Sequence, residues 1–471
     1  MAHVRVLKHY IHTPFLIAAS LEAMAIGVSA YTGFFTRYGH FPDFYDHLPF
    51  ALSFAIMMTF FMMAMGVYEA RLREGLIGAL LRTGVAMFLF GTLGMAVLLY
   101  LVPPLFEGRG VLLFATSEAF VLVALIRWST RRAVSDNFMK RRVVILGAGQ
   151  RALKIANRMR RRSDQRAFIL MGFMRQEDGD DLVSEYGARV LPYPRQGLLE
   201  YCTANEIDEI VIATDDRRAD STNSPIPFDE LMECRLSGVE VCEVQNFIER
   251  EACKIDVDLL QRSWLIFSDG FDAGTFRAFT KRIFDIFAAL ILLLLFSPVI
   301  VLCGLVLAVT GRFRAPIIYR QERVGLNGAA IQVLKFRTMH ENAETSGAVW
   351  ADFNDPRITR FGRFLRRSHL DELPQLFSVL KGTMSMVGPR PERPIFVQEL
   401  TDAIPFYEQR HRVKPGVTGW AQLCYPYGAS TADAKEKLQY DLYYLKNHSL
   451  LLDLIILLQT IEVVLVGEGS R

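Results

Sequence analysis

Four long apolar runs dominate the first part of the chain. They cover approximately residues 14–34, 48–68, 84–102 and 111–127. Each run is long enough to cross a hydrocarbon core about 30 Å thick as a helix that rises 1.5 Å per residue. The pattern therefore predicts a four-helix transmembrane bundle over residues 1–132.

Basic residues predict how this bundle is oriented. Most of the Lys and Arg near the ends of the runs fall on one side, and only Arg37 and Arg109 fall on the other. An excess of Lys and Arg marks the cytoplasmic side, so both ends of the bundle are expected to face the cytoplasm. Glu22 is the one acidic residue deep in a run. It marks either a transport path or a packing contact near the interface.

Residues 140–268 change to short apolar segments that alternate with helical ones. The strand-like segments lie at about 143–146, 167–173, 208–213 and 238–243. This alternation predicts a parallel, doubly wound sheet, that is, a Rossmann-like α/β domain.

The first of these strands opens into a glycine-rich turn. Gly147, Gly149 and Ala152 form a G-x-G-x-x-A pattern that precedes a helical run. In this context the backbone amides at a helix N-terminus receive the phosphates of NAD or another nucleotide. The three residues are therefore candidate cofactor-binding positions.

The second strand weakens that interpretation. It ends at Arg175, where a ribose-binding acid is expected, and only Glu177 or Asp178 could replace that acid. A domain that binds a nucleotide and a degenerate domain with a structural or regulatory role both remain open.

A fifth apolar run covers residues 283–309 and contains Ser297 and Pro298 in its middle. At about 40 Å as a helix, it is long enough for an ordinary fifth span. Basic residues flank it on both sides, however, which places both flanks in the cytoplasm, and proline kinks a helix. A re-entrant helix that breaks at Ser297 and Pro298 and returns satisfies both signals. A fifth span would place the following domain outside the cytosol.

Two adjacent carboxylates in the C-terminal region stand among arginines. Arg366 and Arg367 precede Asp371 and Glu372, and Arg390 follows them. Arginine forks in such numbers suit phosphate. A carboxylate can act as the nucleophile in phosphoryl transfer, and carboxylates also hold Mg²⁺ against substrate phosphates.

Each of these candidates also has an ordinary structural explanation. Ser368, three residues before Asp371, is a near match to a helix capping box. Lys335 and Arg337 are two apart on a strand-like segment, so they share a face that suits either diphosphate or a solvated strand edge. Glu392 suits a nucleotide contact or a surface ion pair with the arginine that follows it.

Three other stretches are candidates for contact with the membrane or with the nucleotide. Arginines recur every three residues from Arg357 to Arg366 and predict a basic amphipathic helix that suits an anionic membrane surface. Trp420 is suited to stacking on uracil or to anchoring at the interface. The apolar run at 450–466 contains acidic residues and predicts an interfacial helix.

Composition sets broad limits. The 471 residues suggest two or three domains, and the 51% hydrophobic content is concentrated in the long runs. The net charge of +3 says little. The six cysteines are scattered with no C-x-x-C spacing, so neither a zinc site nor a disulfide framework is indicated.

The motifs of the C-terminal region resemble the catalytic core of the monotopic bacterial polyprenyl-phosphate sugar-1-phosphate transferases, which prime exopolysaccharide and O-antigen synthesis on undecaprenyl phosphate. The layout of the whole chain resembles the long form of this family, with a membrane bundle and a Rossmann-like domain ahead of the catalytic part. The matching segments are residues 320–325, 335–339, 357–363, 370–375, 388–391 and 414–422.

The resemblance implies a multi-pass enzyme of the bacterial inner membrane, with residues 276–471 as an α/β monotopic catalytic domain on the cytoplasmic side. Such an enzyme transfers a sugar 1-phosphate from a UDP-sugar to undecaprenyl or another polyprenyl phosphate and releases UMP. Its implied partners are these two substrates and membrane lipid rather than nucleic acid. The long form of the family suggests a homodimer.

The resemblance also implies residue roles. Asp371 would be the nucleophile and a Mg²⁺ ligand, and Glu372 its supporting acid or base. Arg366 and Arg390 would contact phosphate. The family usually has an aspartate where this chain has Thr383, so any metal role of that carboxylate is lost here.

Two alternatives belong to other functional classes. A membrane-bound NAD-dependent nucleotide-sugar dehydratase or epimerase would need a second glycine fingerprint and a Tyr-x-x-x-Lys pair in the C-terminal half, and the sequence has neither there. A non-catalytic nucleotide-sensing scaffold would not need the intact acidic pair. The motifs do not predict the sugar, because phosphate and uridine contacts are independent of hydroxyl stereochemistry.

Overall fold

The structure is a computed structural model. It describes residues 3–6, 9–65, 76–135, 140–158, 168–175, 181–215, 226–260, 270–271, 274–311, 315–340, 356–425, 428 and 430–466. The acids at 177 and 178 lie outside these ranges. The chain divides into two compact units, and the second begins, apart from two short segments, at Leu260. Each unit is described by itself.

The first unit contains four helical segments that are long and apolar enough to cross a membrane, namely Ile17–Tyr38, Phe44–Ala64, Gly78–Leu101 and Arg109–Ser129. They lie within a few residues of the four predicted runs. The third segment includes a π-helical stretch, Val85–Gly91. The elements of this region are strands β1 (His3–Val6) and β2 (His9–His12) and helices α1 (Thr13–Tyr38), α2 (Phe44–Ala64), α3 (Leu76–Gly84), α4 (Thr92–Leu101) and α5 (Arg109–Ser135).

Helices α1 and α5 are joined by a small-residue contact and by a buried ion pair. A Cβ atom on Gly33 would lie 2.5 Å from the backbone nitrogen of Ala115, so glycine allows the helices to approach closely. Arg127 donates through Nε and Nη2 to the two carboxylate oxygens of Glu22, at 2.7 Å each. This pairing supports the packing explanation of Glu22, because a charge away from water is stabilised by a bidentate partner.

The same unit contains a five-stranded parallel sheet in the order β5-β4-β3-β6-β7. Side chains of β3 alternate between its two faces. Val143 and Ile145 pack in a core with α6 and α9, and Val144 and Leu146 pack in another with α7 and α8. The predicted parallel-sheet α/β domain is confirmed. Its elements are β3 (Arg141–Leu146), α6 (Gln150–Arg158), β4 (Phe168–Arg175), β5 (Val190–Pro192), α7 (Leu198–Ala204), β6 (Glu209–Ile212), α8 (Phe228–Leu236), β7 (Glu240–Glu243) and α9 (Val244–Ala252).

The second unit joins one long apolar helix to a small α/β domain. Strands β8 and β9 form an antiparallel pair, and β10 and β11 form a parallel pair. The elements are α10 (Thr275–Thr310), β8 (Ile318–Val324), β9 (Ala330–Phe336), α11 (Arg360–Arg367), α12 (Gln375–Lys381), β10 (Ser385–Val387), α13 (Pro394–Ala403), β11 (Gly416–Thr418), α14 (Trp420–Cys424), α15 (Thr431–Asn447) and α16 (Leu450–Val466).

Helix α10 passes through the predicted break without a gap between two helices. Pro298 has no N–H, so it leaves the carbonyl of Leu294 without its usual partner four residues on. The hydroxyl of Ser297 donates to that carbonyl at 2.9 Å. The serine thus supplies the hydrogen bond that the proline removes, which allows helical backbone to persist at this point in an apolar segment.

Two predictions for the C-terminal region are corrected by packing. Trp420 is 4% exposed and stacks on Tyr443 at a centroid distance of 6.2 Å, so it belongs to the core rather than to a uracil site or a membrane anchor. Arg357 lies before α11, which begins at Arg360, and is therefore not part of the basic helix. The neighbouring Ile358 instead forms a β-bridge with Met339.

Candidate active site

The acidic pair lies on a single 3₁₀ turn, Leu370–Glu372, directly after α11. Ser368 ends α11, and its hydroxyl donates to the carbonyl of Phe364 at 2.8 Å. His369 then adopts a left-handed conformation, with φ of 54°, which turns the chain sharply before the acids. The capping-box interpretation of Ser368 is therefore wrong, because this serine closes a helix instead of starting one.

Glu372 is held by two cations. Its Oε1 atom lies 2.6 Å from Lys335 Nζ and 2.9 Å from Arg390 Nη2. Burial favours the neutral acid, but the charges of Arg390 and Lys335 outweigh burial and hold the pKa of Glu372 well below its usual range. Glu372 is therefore a fixed anion that positions both cations.

Asp371 has a different environment from its neighbour. It is 8% exposed, and burial raises its pKa above the ordinary value, although Lys335, Arg390 and Arg366 oppose that shift. A carboxylate that is poorly solvated and more basic is a better nucleophile than one held in tight ion pairs. Of the two acids, Asp371 is thus the one suited to attack phosphorus.

The cations around the pair form a surface suited to phosphate. Arg390 bridges from Glu372 to solvent, with 44% of its side chain exposed. Arg366, in the last turn of α11, donates from Nε to the hydroxyl of Thr338 at 3.0 Å, which fixes its guanidinium. Three cations beside two carboxylates leave positive charge available to a bound diphosphate.

The other predicted phosphate contacts lie elsewhere. A Cβ on Gly311 would be 2.7 Å from Nη2 of Arg337, so this arginine lies beside the end of α10. Arg367 is exposed on the opposite side of the helix turn from buried Leu365. Glu392 pairs with Arg323 at 3.3 Å.

Two arginines that the sequence did not single out support the loop that carries Arg390. Arg323 donates to the carbonyl of Pro391 at 3.1 Å, and Arg410 donates to the carbonyl of Arg390 at 3.1 Å. Arg323 lies in one of the family-like motifs, at residues 320–325, whereas Arg410 precedes another and carries no local signal of its partner. Contacts between carbonyls and distant side chains leave no periodic pattern in a sequence.

Glycines bring two further motifs together at the same loop. A Cβ on Gly388 would lie 2.3 Å from the carbonyl oxygen of Lys414, and the amide of Gly416 donates to the carbonyl of Pro389 at 3.0 Å. The motif at 388–391 and the motif at 414–422 therefore form one layer, β10 against β11, behind the arginine loop.

The family resemblance implies a Mg²⁺ ion, and the side chains around Asp371 determine whether one fits. Among the described residues, no group of three or more His, Cys, Asp or Glu side chains is placed to hold a metal. Glu372 is engaged by its two cations, and the Thr383 hydroxyl donates to the carbonyl of Ser378 at 3.1 Å. Asp371 thus provides one carboxylate, which fits a Mg²⁺ ion that is otherwise bound by water and substrate phosphates.

The glycine turn of the first unit has the predicted local form. Gly147 has φ of +122°, and a Cβ there would lie 2.6 Å from the carbonyl oxygen of Ala213. Ala152 is fully buried against the sheet. Gly149 begins the turn into α6, and a Cβ on it would lie 2.0 Å from a carboxylate oxygen of Asp215. The turn thus exists, but an acidic side chain lies at its mouth.

Comparison with known proteins gives two family matches. A model described as bacterial sugar transferase matches residues 276–467. A model described as CoA-binding domain matches residues 63–219. The first match covers α10 and the whole site around Asp371.

Individual relatives extend these matches. An Aeromonas hydrophila protein named UDP-N-acetylgalactosamine-undecaprenyl-phosphate N-acetylgalactosaminephosphotransferase is 39% identical over 241 residues, 51% of this chain and 56% of that protein. A Komagataeibacter xylinus undecaprenyl-phosphate glucose phosphotransferase is 32% identical over 332 residues, 69% of this chain and 59% of that protein. A Bacillus subtilis protein named as an uncharacterized sugar transferase is 40% identical over 195 residues, 41% of this chain and 90% of that protein. The chain spans little more than half the length of the first two.

The contrasting environments of the two acids predict opposite effects on stability. Asp371→Asn is expected to raise the melting temperature, because it removes a charge that is costly to bury. Glu372→Gln is expected to lower the free energy of unfolding by about 1–3 kcal/mol, because Lys335 and Arg390 lose their charged acceptor. Thermal melts of the two purified variants beside the wild type test this.

The pH dependence of the free energy of unfolding provides the control for this prediction. A carboxylate with a lowered pKa stabilises the protein above its unfolded value, about 4.3 for Glu, and that stability is lost as the pH falls. The difference between wild type and Glu372→Gln should therefore stay nearly constant from pH 7 to about pH 5 and shrink as the pH falls below about 4.3. A difference that does not shrink below about pH 4 would contradict the assigned charge of Glu372.

Proposed function

Because this chain belongs to the bacterial sugar transferase family, we propose that it transfers a sugar 1-phosphate from a UDP-sugar to undecaprenyl or another polyprenyl phosphate and releases UMP. The observation that carries the proposal is the buried Asp371, adjacent to Glu372, which Lys335 and Arg390 hold in place. The relatives named above differ in their sugars, N-acetylgalactosamine in one and glucose in another. The proposal therefore specifies a UDP-sugar as a class.

The reaction proceeds in two displacements. An oxygen of Asp371 attacks the β-phosphorus of the UDP-sugar, and the bond from that phosphorus to the bridging oxygen breaks as UMP leaves with the electron pair. A phosphate oxygen of the polyprenyl phosphate then attacks the same phosphorus and releases the Asp371 carboxylate. The product is a polyprenyl diphosphate sugar. A bound Mg²⁺ ion would neutralise phosphate charge, with Asp371 as its protein ligand.

The residues around the dyad, Asp371 and Glu372, have separate roles in these two displacements. Arg390 is partly exposed and holds Glu372 at 2.9 Å, so it can turn its remaining donors to the diphosphate. Lys335 adds a second positive charge on the same side. Such preorganised cations stabilise the charge that develops on the departing UMP. Arg366, fixed by Thr338, is suited to the sugar phosphate or to the incoming lipid phosphate.

The membrane topology belongs to the same proposal, with α10 as a re-entrant hairpin in the inner membrane and the dyad on the cytoplasmic side. Contacts near both ends of α10 support it. Arg282 donates to the carbonyls of Val379 and Leu380 at 2.6 Å, and Leu307 packs in a cluster with Phe336 and Leu365. In a straight helix the two contact points, residues 282 and 307, would be about 38 Å apart.

The burial pattern of α10 agrees with a hairpin. Ala289 and Cys303 lie at equal distances from position 296 and are buried, so one face packs within the protein on each side of the middle. Leu294 and Leu295 in the middle are 80% and 66% exposed, and exposed apolar side chains continue toward both ends, so this surface is left for lipid. This arrangement brings a lipid-bound phosphate and the cytosolic UDP-sugar to one site.

The covalent step predicts a stoichiometric burst. With a UDP-sugar and Mg²⁺ but without lipid acceptor, the wild type should release UMP up to its own concentration and retain the sugar phosphate on Asp371. Asp371→Asn should give no burst. Rapid-quench measurement of UMP and intact-protein mass spectrometry test both expectations.

Glu372→Gln provides the matched control for the burst, because it keeps the nucleophile and perturbs only the cations. It should form the same adduct more slowly. An active preparation that never accumulates the adduct would exclude Asp371 as the nucleophile and leave direct attack by the lipid phosphate.

The hairpin predicts that both ends of α10 are labelled from one side. In a background without the native cysteines, Thr275→Cys and Arg320→Cys should both react with a membrane-impermeant thiol reagent only in inverted vesicles. Phe106→Cys, in the loop between α4 and α5, is the control and should react only in right-side-out vesicles. Labelling of positions 275 and 320 from opposite sides would establish a fifth span instead.

A further inference from the structure

Arg410 makes polar contacts with three residues near the site, and none of the three is Asp371 or Glu372. It is 5% exposed and lies on the 3₁₀ turn Tyr407–Arg412. Its guanidinium pairs with Asp441 at 2.8 Å, donates to the hydroxyl of Tyr407 at 2.8 Å, and donates to the carbonyl of Arg390 at 3.1 Å. Two acceptors from distant segments, Asp441 and Arg390, and one from the same turn, Tyr407, therefore bind one planar guanidinium.

These contacts continue to the reacting groups. Asp441 is 1% exposed on α15, so the far end of the contact chain is fixed in the core. The other end is the backbone of Arg390, whose side chain binds Glu372 at 2.9 Å. A shift of that carbonyl by 1 Å would move the arginine that holds the dyad, and displacements of this size matter for catalysis.

We propose that Arg410 is a positioning residue for the transfer reaction, because it fixes the backbone of Arg390 and through it the cation beside the dyad. The inference rests on the proposed function. It assigns a role in catalysis to the buried ion pair of Arg410 with Asp441, in addition to the role of that pair in folding.

Lysine at this position tests the geometry without removing the charge. In Arg410→Lys the ammonium still pairs with Asp441, but a single nitrogen does not reproduce the fork that reaches Tyr407 and Arg390 together. The expected result is a fall in kcat of at least tenfold, measured well below the melting temperature. Arg412→Lys is the matched control and should keep its kcat, because Arg412 lies exposed two residues on in the same turn and donates to the side chain of Gln409 at 3.2 Å.

A purely structural role would lower the melting temperature of Arg410→Lys and leave kcat of the folded enzyme unchanged, which would overturn the proposal. Hydrogen exchange gives a readout that does not require activity. The amide of Gly388, bonded to Thr418, and the amide of Gly416, bonded to Pro389, should exchange faster in Arg410→Lys. If the wild type transferred no sugar, the proposed function would fail, while unchanged exchange would separately refute the positioning role.

A second inference comes from the first unit, at the glycine turn before α6. The carboxylate of Asp215 accepts hydrogen bonds from the backbone amides of Gln150 and Arg151, at 2.6 and 2.9 Å. These two amides are at the N-terminus of α6, which is the position where a dinucleotide pyrophosphate binds in this fold. The same carboxylate lies where a Cβ on Gly149 would be.

The ribose side of the turn also departs from the NAD pattern. Strand β4 ends at Arg175, which faces Asp181 at 4.0 Å. The residues present do not fit the diphosphate of NAD or of CoA, because an anion at the helix N-terminus would meet the charge of Asp215. We infer that Asp215 takes the place of the phosphate, so that the glycine turn is a self-capped helix start rather than a nucleotide site.

Removing the carboxylate tests this directly. Calorimetric titration of the full-length wild type with NAD, NADP and CoA should give no binding at about 1 mM. Asp215→Ala should bind at least one of them at least tenfold more tightly and should melt at a lower temperature, because α6 loses its cap. Asp208→Ala is the control, since Asp208 caps the amide of Arg142 at 2.7 Å and should lose stability without gaining ligand.

Two results would overturn the inference. One is submillimolar binding of any of the three nucleotides by the wild type. The other is an Asp215→Ala protein that folds and still binds none of them, since the carboxylate would then not be what closes the turn. If Asp215→Ala does not fold, Asp215→Asn takes its place in the same titrations, because asparagine keeps the shape of the side chain and removes its charge.

Discussion

The site depends on one ion-pair arrangement, in which Glu372 is shared by Lys335 and Arg390. It joins three parts of the chain that are distant in sequence, namely β9, the turn after α11 and the loop after β10. Without the shared anion, two cations would face each other in a partly buried space, which is unfavourable. With it, the neighbouring Asp371 lies beside positive charge without being consumed by a salt bridge of its own. The two acids therefore have different chemistry although they are adjacent.

Around that centre, main-chain groups are held by side chains from far away. Arg323 and Arg410 each hold a carbonyl of the loop at 390 and 391, and Arg282 of α10 holds two carbonyls at the end of α12. Arginine suits this role because its donors lie in a rigid plane and stay charged at any physiological pH. Part of the abundance of arginine in this region therefore reflects support of loops rather than contact with a substrate.

Local signals in the sequence were sufficient for a large part of the fold. Apolar runs predict the four long apolar helices of the first unit, and alternating strands with a glycine turn predict the parallel sheet, because both depend on neighbours along the chain. The sequence does not specify the pairing of Lys335 with Glu372. It also allows a capping box at Ser368, because the left-handed conformation of His369 has no clear sequence signature. Asp215 was missed for the same reason as Arg410, since its partners lie 64 and 65 residues away. Long-range hydrogen bonds with carbonyls and amides are invisible to periodicity.

The polar anchor of α10 affects the order in which the molecule can form. Lys281 binds Asp453 at 2.9 Å across 172 residues, and Asp453 also accepts the hydroxyl of Tyr444. During synthesis α10 is made before α16, because it precedes α16 in the sequence. The helix is therefore made before its polar partner Asp453, and Lys281 has no carboxylate of α16 to bind until synthesis has passed that helix. The contact that fixes the start of α10 thus forms after the helix itself.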